Sequence, residues 1–263
     1  QTVRAERNIP PAPAYAPPDF PLAYPEMRLQ TPSASSSRFE TPAAPITATT
    51  TFITNPTIDM KVLVIHGNGY KDELGLEHPY NMIKSYLDIL GIPYDTVDLS
   101  ASETITETDL WDGVNHGFYY AIFFTTSNDW SSGLPAATQE IVAAYERNFG
   151  VRQVTLYAYP YPEQSGLTVS STITPGINGP VTMTLTTAGQ SVFSYLRPDV
   201  QIEMNAFTYG FPATVVSGAD VTPLVMDDGG NVAMAIFRPG DGREHLVFTW
   251  SSYYRALPPT NIH

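Results

Sequence analysis

A chain of 263 residues with 43% hydrophobic side chains is long enough for one large domain or a domain carrying an insertion, and with no cysteine it must build its core without disulfides. Its 26 acidic against 13 basic side chains give a net charge of −13, and only three of the cations are lysines. That balance repels phosphate backbones and anionic lipid, so no nucleic-acid partner is expected. The longest apolar stretches are strand-sized, so no membrane span is expected, and the 15% of charged residues, against about 25% in an average domain, has the flavour of an exported protein.

Residues 1–56 carry eleven prolines, a serine run at 33–37 and a threonine run at 47–51. Such a segment cannot sustain helix or sheet ladders and reads as an extended arm or linker. Its interspersed Tyr15, Phe20, Tyr24 and Phe39 are more apolar than a free linker needs.

From residue 57 to 257 strands and helices alternate. Lys61–Ile65 is a β-branched apolar run delivering the glycine-rich turn His66-Gly67-Asn68-Gly69, as a buried parallel strand does. The repeat of Met82, Ile83, Tyr86, Leu87 and Leu90 predicts a helix from Pro79 to a stop at Gly91. A second strand follows at 94–99 and a third at 119–124. A helix at 135–149 comes next, with Ile141, Ala144, Tyr145 and Phe149 on its buried face, and a fourth strand at 154–159. This βαβαβαβ order is the signature of an open, mostly parallel α/β sheet of flavodoxin- or amidotransferase-like type, with helices on both faces. Residues 166–223 change texture to Thr, Ser, Val and Gly without a helical stripe, and read as an antiparallel β insertion. Val232–Phe237 and His245–Trp250 then form a hairpin whose second arm is expected to rejoin the main sheet.

In such a sheet the loops leaving the carboxyl ends of the strands meet in one crevice, where ligands bind. Here those loops combine aromatic rings with amides, hydroxyls and a carboxylate. The candidate carbohydrate-binding residues are Asn68 and Tyr70 after strand one, Asn128, Asp129 and Trp130 after strand three, and Tyr161 after strand four. Aromatic faces cover the C–H face of a pyranose while polar groups bond its rim. Each ring also has a bland alternative as core packing. Gly67-Asn68-Gly69 lacks the third glycine of a dinucleotide fingerprint and the lysine of a P-loop, so no nucleotide cofactor is expected. No G-x-S-x-G elbow occurs to activate Ser127 or Ser251, and no tight ligand spacing makes His66 and His116 a metal pair. Catalytic and metal residues are therefore assigned to none. The rival reading is a hydrolase using His66 or His116 with Asp129. Ten acids between Asp72 and Asp112 face only Lys71 and Lys84; this is either a solvated face or an attraction for a cationic ligand.

Three stretches carry a family resemblance: Val62-Leu63-Val64-Ile65-His66-Gly67-Asn68-Gly69-Tyr70, Ile122-Phe123-Phe124-Thr125-Thr126 with Asp129-Trp130, and Val247-Phe248-Thr249-Trp250 with the tail Pro258-Pro259-Thr260-Asn261-Ile262-His263. Over roughly residues 58–263 the chain resembles the N-terminal carbohydrate-binding region of the secreted fungal exopolysaccharide deacetylases that act on galactosaminogalactan in biofilm formation. The resemblance implies a non-catalytic module that targets an attached deacetylase domain, with 258–263 starting the linker to it. It also implies a polysaccharide ligand of galactose and N-acetylgalactosamine, cationic where acetyl groups are removed, and a secreted or cell-wall location. A weaker similarity links Thr222-Pro223-Leu224 and Gly229–Ala233 to the late hairpin of amidotransferase-like domains.

Overall fold

The computed structural model describes residues 53–67, 78–170, 181–204 and 210–250. The chain enters through β1 (Thr57–Ile58) and β2 (Val62–His66), every residue of which is buried, as a strand covered on both faces requires. Then come α1 (His78–Leu90), β3 (Tyr94–Asp98), α2 (Glu107–Leu110), β4 (His116–Gly117), β5 (Ala121–Phe124), α3 (Ala136–Phe149) and β6 (Arg152–Thr155). Gly91 and Gly150 end α1 and α3 in the left-handed region, with the Gly150 N–H returning to the Glu146 carbonyl. The second half holds α4 (Pro162–Ser165), β7 (Leu167–Val169), β8 (Val181–Leu185), α5 (Thr187–Val192) and β9 (Gln201–Met204). It continues with β10 (Ala213–Val215), β11 (Asp220–Asp227), β12 (Val232–Arg238) and β13 (His245–Phe248).

One sheet runs in the order β3-β2-β5-β6-β13-β12-β11-β8-β9, with β10 and β7 joined to it through β12. From β3 to β13 all neighbours are parallel; beyond β13 the pairings are antiparallel. Taken in chain order, the five parallel strands lie 2-1-3-4-5, the flavodoxin-like arrangement, whose order reverses between β2 and β5. The pleat alternates the two faces of β2. Leu63 and Ile65 pack with Val142, Tyr145 and Phe149 of α3, whereas Val62 and Val64 pack with Ile83 and Leu87 of α1. Helices therefore cover both faces, as the alternation predicts.

Several expectations change in detail. The third strand begins at Ala121 rather than 119, because both the N–H and the carbonyl of Tyr119 bond to the Tyr145 hydroxyl, at 2.9 and 2.7 Å, instead of a strand neighbour. The fourth covers 152–155 rather than 154–159, since Tyr157 takes a left-handed φ of 41° and leaves the ladder. Leu90, assigned to the apolar stripe of α1, is 67% exposed on the last turn. Residues 166–223 contain a helix after all. Thr186 caps α5 by accepting the Gly189 N–H at 3.0 Å, a start signal hidden among many threonines. Its β8 pairs antiparallel with β11 and extends the main sheet. The hairpin expectation holds, with β13 returning parallel to β6.

Candidate functional site: an aromatic platform beyond β6

Because β2, β3, β5, β6 and β13 run parallel, their carboxyl ends form one rim. At β2 that rim starts with His66, stacked on Tyr80 at 3.7 Å, and with Gly67 at φ 115°. A Cβ at Gly67 would meet the Ser100 amide nitrogen at 2.5 Å and Asp98 Oδ1 at 2.6 Å, so both conformation and space demand glycine. Asp98, at the end of β3, accepts from the Ser100 hydroxyl at 2.6 Å and its N–H at 2.9 Å, and these bonds hold its carboxyl below the usual carboxylate range against a desolvation penalty. Asn68 and Tyr70 lie outside the described residues.

The loop after β5 turns its carboxylate inward. Asp129 is fully buried and accepts from the Thr125 hydroxyl at 2.5 Å and the Thr126 N–H at 2.9 Å, so it organises the turn into Asp129–Gly133. Asn128, expected on the rim beside it, is exposed. Trp130 is half-buried, edge-on to Phe124 at 5.4 Å within the α3 core, with the Arg243 guanidinium 6.0 Å from its ring centre. The indole thus packs the domain, the bland alternative for that ring.

Among the described residues of this rim, the exposed aromatic rings lie after β6. Tyr157 stacks on Phe211 at 5.2 Å, Tyr159 meets Phe211 at 5.1 Å, and Tyr159 meets Tyr161 at 4.7 Å. Tyr159 and Tyr161 are 40% and 38% exposed, while Tyr157 and Phe211 back them half-buried. The segment is tied to its neighbours through its backbone. Ala158 donates to the Phe248 carbonyl at 2.7 Å, Tyr159 to Ser127 Oγ at 3.0 Å, and Phe211 to the Thr249 carbonyl at 2.7 Å. The structure therefore brings Asn128 and Tyr161 to the same rim, through the bond between Ser127 and Tyr159. Tyr159 and Phe211 are not among the candidate binding residues taken from the sequence. The alternation Tyr157, Tyr159, Tyr161 signals the first, whereas Phe211 arrives from fifty residues downstream with no local mark.

In the hydrolase reading His66 ends β2 on the same rim as Asp129, whereas His116 and Asp129 are split between the two ends of the sheet. His116 on β4 pairs with Asp59 at 2.9 Å in a ribbon with β1 that precedes β2 and β5, at their amino ends, whereas Asp129 follows the carboxyl end of β5. Among the described residues no three His, Asp or Glu side chains are grouped to hold a metal ion, and no helix is long and apolar enough to cross a membrane. A cavity of about 440 Å³ lies against the edge strand β3, lined by Asp95, Thr96, Glu103, Asp109 and Tyr119 among others. Its Asp95 carboxylate takes bonds from Lys61 at 2.7 Å and from the Tyr119 hydroxyl at 2.8 Å, which hold it below the usual range while burial opposes them. That cavity is apart from the aromatic rim.

Among solved structures, the chain is similar to Agd3, described as a novel carbohydrate deacetylase, at 19% identity and a TM-score of 0.60, over 74% of this chain and 30% of that one. The chain thus spans under a third of that protein. A putative ThuA-like protein from Bacteroides uniformis is similar at 13% identity and a TM-score of 0.50, covering 73% of this chain and 82% of that one. At these identities both likenesses concern the fold. No curated protein matches. The model of the family described as Agd3 CBM87 matches residues 58–255, the whole α/β body with its antiparallel extension, and the chain belongs to that family.

Proposed function

We propose that this domain is a non-catalytic carbohydrate-binding module that recognises an exopolysaccharide containing galactosamine and N-acetylgalactosamine, and that it targets an attached deacetylase domain to that polymer at the cell surface or outside the cell. The observation that carries the reading is the pair of exposed rings, Tyr159 and Tyr161, backed by Tyr157 and Phe211 on the strand ends where open α/β sheets bind ligands. Membership of the carbohydrate-binding family supports it. The proposed contacts are stacking on Tyr159 and Tyr161 and hydrogen bonding by Asn128; Asn68 and Tyr70 remain proposed partners from the neighbouring loop. A net charge of −13 suits a ligand that is cationic where acetyl groups are absent.

The test is calorimetric titration of the full chain with galactosamine oligomers of graded acetylation. Losing a well-packed aromatic contact costs on the order of 2 kcal/mol, and a millimolar complex has only about 4 kcal/mol in total. Tyr161→Ala is expected to push binding below detection while its exposed position leaves the circular dichroism spectrum unchanged. Wild-type affinity in a folded Tyr161→Ala variant would place the site elsewhere.

A further inference from the structure

We propose that Ser127 is a positioning residue for the aromatic platform, its buried hydroxyl setting the place of Tyr159; this rests on the carbohydrate reading of the platform. Ser127 is 3% exposed and lies three residues beyond the end of β5, close to where α/β hydrolases mount a nucleophile between strand and helix. In this chain the oxygen faces a backbone donor. The Tyr159 N–H reaches Ser127 Oγ at 3.0 Å across 32 residues of sequence. Among the described residues no histidine or carboxylate hydrogen-bonds to this hydroxyl, so its position serves geometry rather than proton transfer.

The segment that carries the rings cannot hold itself. Its first residue, Tyr157, sits at φ 41°, a costly conformation for a bulky side chain that persists only where the surroundings impose it. Pro160 has no N–H to give, and the Tyr161 N–H turns back to the Tyr159 carbonyl at 2.8 Å. Among the described residues two backbone bonds, from Ala158 and Tyr159, tie the segment to its neighbours. Ala158 is fixed to β13 through the Phe248 carbonyl, and Tyr159 to the β5 loop through Ser127. Without the second, Tyr159 is free to pivot about Ala158, and its ring leaves the packing against Phe211 and Tyr161 that makes a continuous surface. Stacking tolerates little displacement, so a pivot is felt as lost affinity.

Calorimetry and near-ultraviolet circular dichroism on the full chain separate the possibilities. Ser127→Ala is expected to weaken binding of a galactosamine oligomer about three- to tenfold, the range of one net hydrogen bond, and to alter the near-ultraviolet tyrosine signal. Ser127→Thr, which keeps the accepting oxygen, should restore most of both. Ser127→Cys, close in shape but a weak acceptor, should show the alanine behaviour and keeps the test available if the alanine variant does not fold. Wild-type affinity in Ser127→Ala or Ser127→Cys, alongside lost binding in Tyr161→Ala, would overturn the positioning role and leave the platform standing. Wild-type affinity in Tyr161→Ala would remove the platform, and this inference with it.

Discussion

Tyr145 shows how a single side chain sets a boundary of the fold. Its ring lies in the core stripe of α3, and its hydroxyl both donates to the Tyr119 carbonyl and accepts the Tyr119 N–H, at 2.7 and 2.9 Å. Replacing it with phenylalanine keeps the packing and orphans two buried backbone groups, so Tyr145→Phe should cost about 2 kcal/mol in urea unfolding at neutral pH. Burial pushes the Tyr145 hydroxyl up to about 12, above the ordinary tyrosine value of about 10. A group whose folded value is raised contributes fully below its unfolded value and loses that contribution as pH climbs towards the folded one. The wild-type protein should therefore lose stability between about pH 10 and 12, and Tyr145→Phe should show a shallower fall over that window; identical alkaline slopes would contradict the assignment. The helical spacing of Tyr145 is legible in the sequence. Its partnership with Tyr119, 26 residues away, depends on how α3 lies across β5 and is not.

Among the elements, α5 is one that the texture of the sequence hid. Six residues bearing only Ala188 and Val192 as apolar side chains present no stripe to read, and the helix forms because Thr186 caps it and because it fits against β11. Gly189 makes that fit: a Cβ there would stand 2.0 Å from the Leu224 carbonyl oxygen, which is backbone and cannot swing aside. Gly189→Ala should lift α5 off the sheet and destabilise the protein by about 1–3 kcal/mol. In an exposed helix the same change would be mildly favourable. A thermal midpoint at or above that of the wild type would show that α5 is not seated as described. The strands of the parallel half were easier, since β2 and β5 are continuous β-branched and aromatic runs of a kind that only double-sided burial requires.

At the scale of the whole molecule, the antiparallel region continues the main sheet rather than forming a unit of its own. β13 carries the join, paired parallel to β6 on one side and antiparallel to β12 on the other. Val247 is buried and Leu246 packs against the core of the antiparallel half, so opening the seam would expose both. Far-ultraviolet circular dichroism and tyrosine and tryptophan fluorescence should accordingly report one coincident unfolding transition for the α/β body. Two separated steps would mean that the region around 166–223 folds independently, as an insertion would.

The sequence by itself determined the fold class, the parallel strands at β2, β3, β5 and β6, the helices α1 and α3 with their glycine stops, and the return of the last hairpin. These follow from periodicity and chain-stopping residues, which are local properties. It also led to the rim on which Tyr159 and Tyr161 are exposed, since strand direction alone says where the loops gather. Which loop residues face outward was decided only by tertiary structure, because Asp129 and Trp130 have as much reason, chemically, to point out as in. Asp129 turned inward to satisfy Thr125 and Thr126, and Trp130 to fill the space beside Phe124. The exposed rings formed instead where Phe211, carried in beside Thr249, met a tyrosine segment released from its strand at Tyr157. A meeting of segments distant in the chain leaves no periodic trace in either, and only the packing of β6 against β13 brings them together.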